Sequence, residues 1–167
     1  MKIKLASVVL LFCILFSSCT VQTDFDVYDF CERYNKLLGE DTIFTGDFLS
    51  DNDGKLYCFM RTGKSTVLIT LYENEKSSLE SLFVTVEKSQ YDESDYEEIT
   101  DIIYRSFASF NYKDAKKAEE DLTADGFDGS FKPFSDEYKS EENGKYRITL
   151  FSNEFAFTVS KEKIDSD

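Results

Sequence analysis

Alternating polar and apolar residues between positions 64 and 72 constrain the fold of this 167-residue chain more than any other feature. Val67, Ile69 and Leu71 fall on one side of an extended segment, and the residues between them fall on the other. A period of two is typical of a half-buried β-strand. Similar segments with short polar turns surround this one. We therefore predict an antiparallel meander with strands at 42–49, 55–60, 64–72 and 79–87.

The meander is preceded by a predicted helix over 24–38. Thr23 or Asp24 can cap its first turn, and Gly39 follows at the position of a C-terminal cap. Apolar residues recur in this segment at helical spacing. They are Val27, Phe30, Cys31, Tyr34, Leu37 and Leu38.

Two further helices and a hairpin are predicted after the meander. Ser94 and Glu97 have the spacing of a capping box, which predicts a helix over 94–110. A weaker pattern predicts a helix over 113–124, and alternation near the end of the chain predicts a hairpin, with strands at 146–151 and 154–160.

This order of elements predicts an α+β domain: an N-terminal helix, a four-stranded antiparallel meander, two helices and a C-terminal hairpin, with the helices packed on one face of the sheet. We expect a single domain over 24–160 and a polar tail over 161–167.

The first residues of the chain predict export. An apolar run over 5–16 follows Lys2 and Lys4 and ends at small residues. The run is shorter than the roughly 20 residues that a membrane-spanning helix needs, and its basic flank is typical of a secretory signal. The expected role of this segment is therefore targeting.

The sequence Leu15-Phe16-Ser17-Ser18-Cys19 resembles the lipobox of bacterial lipoproteins, although Phe16 and Ser18 depart from its commonest pattern. The resemblance implies a signal peptide over 1–18, a lipidated tether over 19–23 and attachment to a membrane through acyl chains on Cys19. An ordinary secreted protein and an uncleaved anchor are the alternatives.

The same resemblance implies a location. The protein would lie in the bacterial cell envelope with its domain outside the cytoplasm. Because Thr20 stands where many lipoproteins retained at the inner membrane carry Asp, the implied destination is the outer membrane if the host has one.

Composition excludes several classes of function. The chain has 33 acidic and 19 basic residues and a net charge of −14, which becomes −16 when signal-peptide removal takes away Lys2 and Lys4. Such a surface repels nucleic acid and anionic headgroups. Histidine and tryptophan are absent, which excludes His-based triads and most catalytic zinc sites. We therefore predict a protein that is not an enzyme and carries no cofactor.

The sequence Asp51-Asn52-Asp53-Gly54 is reminiscent of a calcium loop. An EF-hand would need Asp in place of Leu49 and Glu in place of Met60. A hairpin turn explains the cluster, and we predict no metal site.

The mature chain retains two cysteines that can pair. Cys31 is expected on the apolar face of the first helix, and Cys58 on the inner face of a strand. An exported compartment permits a disulfide between them. The alternative is two buried thiols that act as small hydrophobic groups.

The segment 125–145 lacks a sustained period but carries several aromatic residues. A long connection of this kind is often functional. It is either a contact surface for a partner or an irregular cap that buries its rings against the sheet. The candidate contact residues are Phe127, Phe131, Phe134 and Tyr138.

These features favour a lipid-anchored protein that binds another protein or envelope component, with the aromatic connection and exposed strand edges as its contacts. The alternatives are a structural or assembly accessory of the envelope, in which the domain is an acidic spacer, and a hydrolase that uses carboxylates alone.

Overall fold

The structure, a computed structural model, describes residues 25–110, 138–143 and 146–164. Three 3₁₀ turns lie between the longer elements, at Thr45–Asp47, Lys88–Gln90 and Glu93–Asp95. The helices and strands are, in chain order, α1 (Val27–Leu38), β1 (Leu49–Ser50), β2 (Lys55–Thr62), β3 (Ser65–Glu73), β4 (Leu79–Glu87), α2 (Tyr96–Ser109), β5 (Tyr138–Asn143), β6 (Tyr146–Ser152) and β7 (Ala156–Lys163).

The strands form one antiparallel sheet in the order β1-β2-β3-β4-β7-β6-β5. The first four strands make the meander, and β6 and β7 return as a hairpin whose second strand pairs with β4. The predicted α+β class is therefore confirmed, with its N-terminal helix, meander, later helix and C-terminal hairpin. The predicted helix over 113–124 lies outside the described residues.

The strand predicted over 42–49 is wrong. Most of this segment is a loop with a 3₁₀ turn at Thr45–Asp47, and the strand β1 has just two residues. The backbone N–H groups of Thr42 and Ile43 donate to the side chain of Asn35. Because those groups are already bonded to α1, they are not available to a neighbouring strand.

The connection predicted to be irregular over 125–145 contains a strand, β5. It pairs along its whole length with β6 and forms one edge of the sheet. Its sequence, YKSEEN, lacks the alternation by which strands are recognised. An edge strand is held by its backbone hydrogen bonds, so it can form without an apolar face.

The inner face of the sheet forms the core with the two described helices. Across β3 and β4, Ile69 pairs with Val84 and Leu71 with Leu82, and all four side chains are fully buried. Helices α1 and α2 contact each other and contribute to the same buried cluster, so both lie on this face of the sheet. Their buried apolar residues are Phe30, Cys31, Tyr34, Ile99, Ile102, Ile103, Phe107 and Ala108.

The start of the domain is tied to the sheet before α1 begins. The N–H of Leu79, the first residue of β4, donates to the carbonyl of Phe25 at 2.7 Å. The Phe25 ring packs edge-on against Phe110, with 5.7 Å between centroids. The guanidinium of Arg33 lies 4.5 Å from the centre of the same ring.

Both ends of α1 are capped by local side-chain or backbone chemistry. The N-cap is Asp26, two residues beyond the predicted Asp24, and it forms a reciprocal capping box with Asp29. Gly39 is the predicted C-terminal cap, and its left-handed φ of 76° confirms it.

The start of α2 differs from the prediction. The capping box at Ser94 and Glu97 is wrong, because Ser94 lies in a 3₁₀ turn and Asp95 is the N-cap. The Asp95 carboxylate caps no helical N–H. It accepts instead from the backbone N–H groups of Lys64 and Ser65, both at 2.8 Å. The β2–β3 turn therefore engages the carboxylate that would otherwise cap the helix.

The last strand continues through Lys163, three residues into the segment 161–167 where a polar tail is predicted. Lys161 lies in this extension and is fully buried. Its ammonium group donates to the carbonyl of Phe110 at 3.2 Å and lies 5.9 Å from the centre of the Phe110 ring. The end of the chain thus contributes to the core.

Candidate functional site

An open groove runs along α1 and the segment that follows it, residues 39–45. It encloses about 820 Å³, and we call it the α1 groove. Its lining residues come from one side of the helix and from the loop. They are Tyr28, Cys31, Glu32, Asn35, Lys36, Gly39, Glu40, Asp41, Ile43, Phe44 and Thr45.

The loop wall of the α1 groove is held by the side chain of Asn35. Its Oδ1 accepts the N–H groups of Thr42 and Ile43 at 2.9 and 3.0 Å, and its Nδ2 donates to the Ile43 carbonyl at 2.7 Å. Ile43 is 2% exposed and anchors the loop in the core. One helical side chain thus satisfies three backbone groups and sets the position of the wall.

The rim of the α1 groove combines exposed aromatic rings with carboxylates. Tyr28 on the helix is 64% exposed, and Phe44 on the loop is 54% exposed. Three acidic side chains line the same groove with a single lysine, Lys36. The acidic residues, all exposed, are Glu32, Glu40 and Asp41.

The floor of the α1 groove includes Cys31, whose side chain is buried. Burial raises the pKa of the Cys31 thiol to about 12, and the neighbouring Cys58 contributes in the same direction. Burial likewise raises the pKa of Cys58 to about 11. Both groups are therefore protonated at neutral pH, and neither is an activated nucleophile.

These properties suit binding better than covalent chemistry. An exposed ring beside carboxylates can hold a cationic side chain by cation–π contact and ion pairing together. Cation–π contacts already occur among the described residues, as between Arg33 and Phe25. The groove is open, and its charged rim resembles a surface for a macromolecule more than an enclosed small-molecule pocket.

Among the site residues that were predicted from the sequence and that the structure describes, Cys31 lines the α1 groove. Cys19, Phe127, Phe131 and Phe134 lie outside the described residues. Tyr138 begins β5, where its backbone pairs with Phe151. The lipid attachment and the aromatic contact surface therefore stay predictions.

Cys31 and Cys58 are both in the core, as expected from their apolar faces. Both are free thiols in this structure. The two side chains share one buried cluster. This arrangement is compatible with both predicted alternatives, a disulfide and two buried thiols.

Sequence reasoning missed the α1 groove because it assigned the loop wall to a strand. A strand over 42–49 gives no reason to expect a loop wall beside α1. Two signals in the sequence favour a loop over a strand at 42–49. Gly46 and Asp47 interrupt the alternation, and the polar Asn35 lies beside the apolar face of the helix. Neither signal is specific without the fold.

The acidic cluster at Asp51 forms the predicted hairpin turn between β1 and β2. One carboxylate oxygen of Asp51 accepts the N–H groups of Asp53 and Lys55, and the other accepts the Tyr57 hydroxyl. Desolvation raises the pKa of Asp51, but these hydrogen bonds together outweigh it and lower the pKa. The carboxylate is thus engaged in holding the turn.

Within the described ranges, no helix is both long and apolar enough to cross a membrane. Comparisons of the chain with protein-family models, with curated proteins and with solved structures found no match. The function must therefore be argued from the residues of this chain.

Proposed function

We propose that this protein is a non-enzymatic lipoprotein of the bacterial cell envelope, anchored by lipid on Cys19, and that its α1 groove binds a cationic segment of a partner protein. The observation that carries the binding proposal is the pairing of exposed Tyr28 and Phe44 with three carboxylates on the walls of one groove.

The charge of the chain supports a cationic partner. A net charge of −14, or −16 after signal-peptide removal, attracts basic surfaces and repels acidic ones. Complementary charge increases the rate of encounter and selects among partners. The exposed rings supply contact area at the same place, and aromatic residues are enriched where protein interfaces derive their affinity.

The anchor is tested by replacing the lipid acceptor. Cys19→Ala in the full chain is expected to release the protein from membranes washed at alkaline pH, because several acyl chains hold a protein firmly and none hold it when the acceptor is lost. Cys13→Ala is the matched control and should leave the protein bound. Retention of the Cys19 variant on washed membranes would contradict the anchor.

The binding surface is tested by photo-crosslinking in cells. A photoreactive phenylalanine analogue at position 44 should give a discrete adduct with another protein. The control position is Phe155, a phenylalanine that is 70% exposed and does not line the α1 groove. Equal adduct patterns from positions 44 and 155 would contradict a groove-specific partner.

The chemistry of the partner is tested by charge reversal. The double change Glu40→Lys and Asp41→Lys is expected to reduce the adduct yield from position 44 by about tenfold or more, because it replaces attraction by repulsion. Glu97→Lys with Glu98→Lys is the control, since these adjacent residues on α2 are also exposed and lie outside the groove. An undiminished yield from the groove double variant would show that the partner is not cationic.

A further inference from the structure

Two contacts, one on either side of the buried cysteines, align α1 with β2. One turn of α1 is fixed by Phe30, whose ring lies 6.2 Å from that of Phe48. Phe48 leads into β1, where Leu49 pairs with Tyr57 of β2. The N-terminal part of α1 is therefore next to the part of β2 around residue 57.

The second contact fixes the following turn of the helix. The hydroxyl of Tyr34 donates to the sulfur of Met60 at 3.7 Å. Residues 30 to 34 of α1 thus run alongside residues 57 to 60 of β2, in the same direction. Cys31 and Cys58 both lie between the two contacts.

The spacing along the two elements brings the cysteines opposite each other. From Cys31 to Tyr34 the helix advances about 4.5 Å, and from Cys58 to Met60 the strand advances about 6.6 Å. Because Tyr34 touches Met60, the offset between the two cysteines along this direction is about 2 Å. Both side chains point into the core, with 4% and 3% of their surface exposed. The electrostatic influence of Cys58 on the pKa of Cys31 agrees with this proximity.

We propose that Cys31 and Cys58 are joined by an intramolecular disulfide that ties α1 to β2 beneath the α1 groove. Formation of this bond does not depend on a partner in the groove. The two thiols need only a disulfide-bearing oxidant, either a small-molecule disulfide or a protein disulfide, of the kind that oxidising compartments contain.

The reaction balances as two thiol–disulfide exchanges. The Cys31 thiolate attacks one sulfur of the oxidant, whose S–S bond breaks, and the released sulfur takes up a proton. The Cys58 thiolate then attacks the Cys31 sulfur of the mixed disulfide and expels the second sulfur of the oxidant, which is also protonated. The two cysteines lose two electrons and two protons, and the oxidant gains both.

Cys31 lines the α1 groove, so any exchange in the folded domain begins there. Burial keeps both thiols protonated in the folded domain, so exchange there is slow. The bond is expected to form while the domain folds and then to resist reductant until the domain is unfolded.

The test is a peptide map of the full chain. Protein extracted from cell membranes in detergent, and a second sample unfolded and refolded with oxidised glutathione, are denatured and alkylated. Cleavage before aspartate separates Cys31 from Cys13 and Cys19, because Asp24, Asp26 and Asp29 lie between them. The expected result is a linked pair of peptides that contain Cys31 and Cys58.

The outcomes separate this inference from the proposed location. Linkage in both samples supports the disulfide and an oxidising compartment. Linkage after refolding alone supports the pairing and counts against export. Alkylation of both cysteines as free thiols in both samples overturns the disulfide.

A second test measures the thermal stability of the chain with and without the bond. Wild-type chain that has been unfolded and refolded in reductant is expected to have a Tm about 10 °C below that of the chain refolded with oxidised glutathione, because the bond closes a loop of about 28 residues. The double variant Cys31→Ala with Cys58→Ala should show no reductant-dependent shift. An equal shift in both proteins would overturn the inference.

Discussion

Asn35 and Asp95 each hold a loop by nearly the same hydrogen bonds. The loop held by Asn35 borders the open α1 groove, whereas the turn held by Asp95 packs closely against the Asp95 carboxylate. Each side chain uses one oxygen to accept two successive backbone N–H groups, those of Thr42 and Ile43 for Asn35, and those of Lys64 and Ser65 for Asp95. The distances are 2.9 and 3.0 Å in the first case and 2.8 Å for both bonds in the second.

The two sites differ in charge and in what surrounds the acceptor. The amide of Asn35 is neutral, and the loop beyond it is exposed on the side of the groove. Asp95 is 8% exposed, and its carboxylate lies against Gly63, where a Cβ atom would collide with it. Charge-assisted hydrogen bonds are roughly twice as strong as neutral ones. The Asp95 site is therefore built for stability, whereas the Asn35 site positions a loop and leaves its outer surface free for contact.

The largest expected effect is at Gly63. Gly63→Ala combines a left-handed φ of 49° with a collision against the Asp95 carboxylate, so we expect the free energy of unfolding to fall by about 2–3 kcal/mol. Gly39→Ala is the matched control, because its φ of 76° is also left-handed but no atom lies within 4 Å. We expect it to cost about 1 kcal/mol. Urea denaturation measures both, and equal losses would mean that the approach of Asp95 to the turn is unimportant.

The next effect is a pH dependence at Asp95. Hydrogen bonds from the Ser65 side chain and from the backbone of Lys64 and Ser65 lower the pKa of Asp95 in the folded state, although burial opposes them. A carboxylate with a lowered pKa stabilises the fold fully above its unfolded pKa of about 3.9, and this stabilisation is lost as the pH falls through the folded value. Asp95→Asn should therefore be less stable than wild type at pH 7 and lose less on acidification.

The measurement is the urea midpoint between pH 7 and pH 3. The control, Asp53→Asn, changes an exposed carboxylate in another turn and should leave the midpoint at pH 7 nearly unchanged. The interpretation fails if Asp95→Asn and wild type lose equal stability on acidification.

Asn35→Ala is expected to lower stability less than the two main changes above, but to have a larger effect on binding in the α1 groove. Asn35→Ala removes the acceptor for Thr42 and Ile43 and should cost about 1–2 kcal/mol in urea denaturation. It should also reduce crosslinking from position 44, since the loop wall loses its attachment. Asn153→Ala is the control: Asn153 accepts the N–H groups of Phe155 and Ala156 in another turn. It should lower stability but leave crosslinking unchanged, and a similar decrease there would assign the Asn35 effect to general destabilisation.

The smallest effect on stability is expected at the rim. Phe44→Ala should change the free energy of unfolding by no more than about 0.5 kcal/mol, because the ring is mostly exposed. Phe155→Ala should behave alike in urea denaturation. A loss above 1 kcal/mol at Phe44 alone would show that the ring supports the loop itself and is not free to contact a partner.

The sequence was informative where burial decides the structure. Val67, Ile69 and Leu71 predicted β3, and Gly39 predicted the end of α1, because period and left-handed conformation are local properties. The sequence was not informative where a side chain forms hydrogen bonds with a backbone segment that is distant along the chain. Nothing near Asp95 shows that its carboxylate belongs to a turn 30 residues earlier. The groove was missed for the same reason, since its wall depends on Asn35.

Under the proposed lipid attachment at Cys19, the hydrogen bond between Leu79 and Phe25 has a mechanical consequence. Tension from an anchor ahead of Phe25 reaches the start of β4 as well as α1. β4 has strands on both sides, β3 and β7, and its backbone bonds to both resist displacement. The load is therefore shared with the middle of the sheet, and the helix that forms one wall of the groove is relieved of part of it.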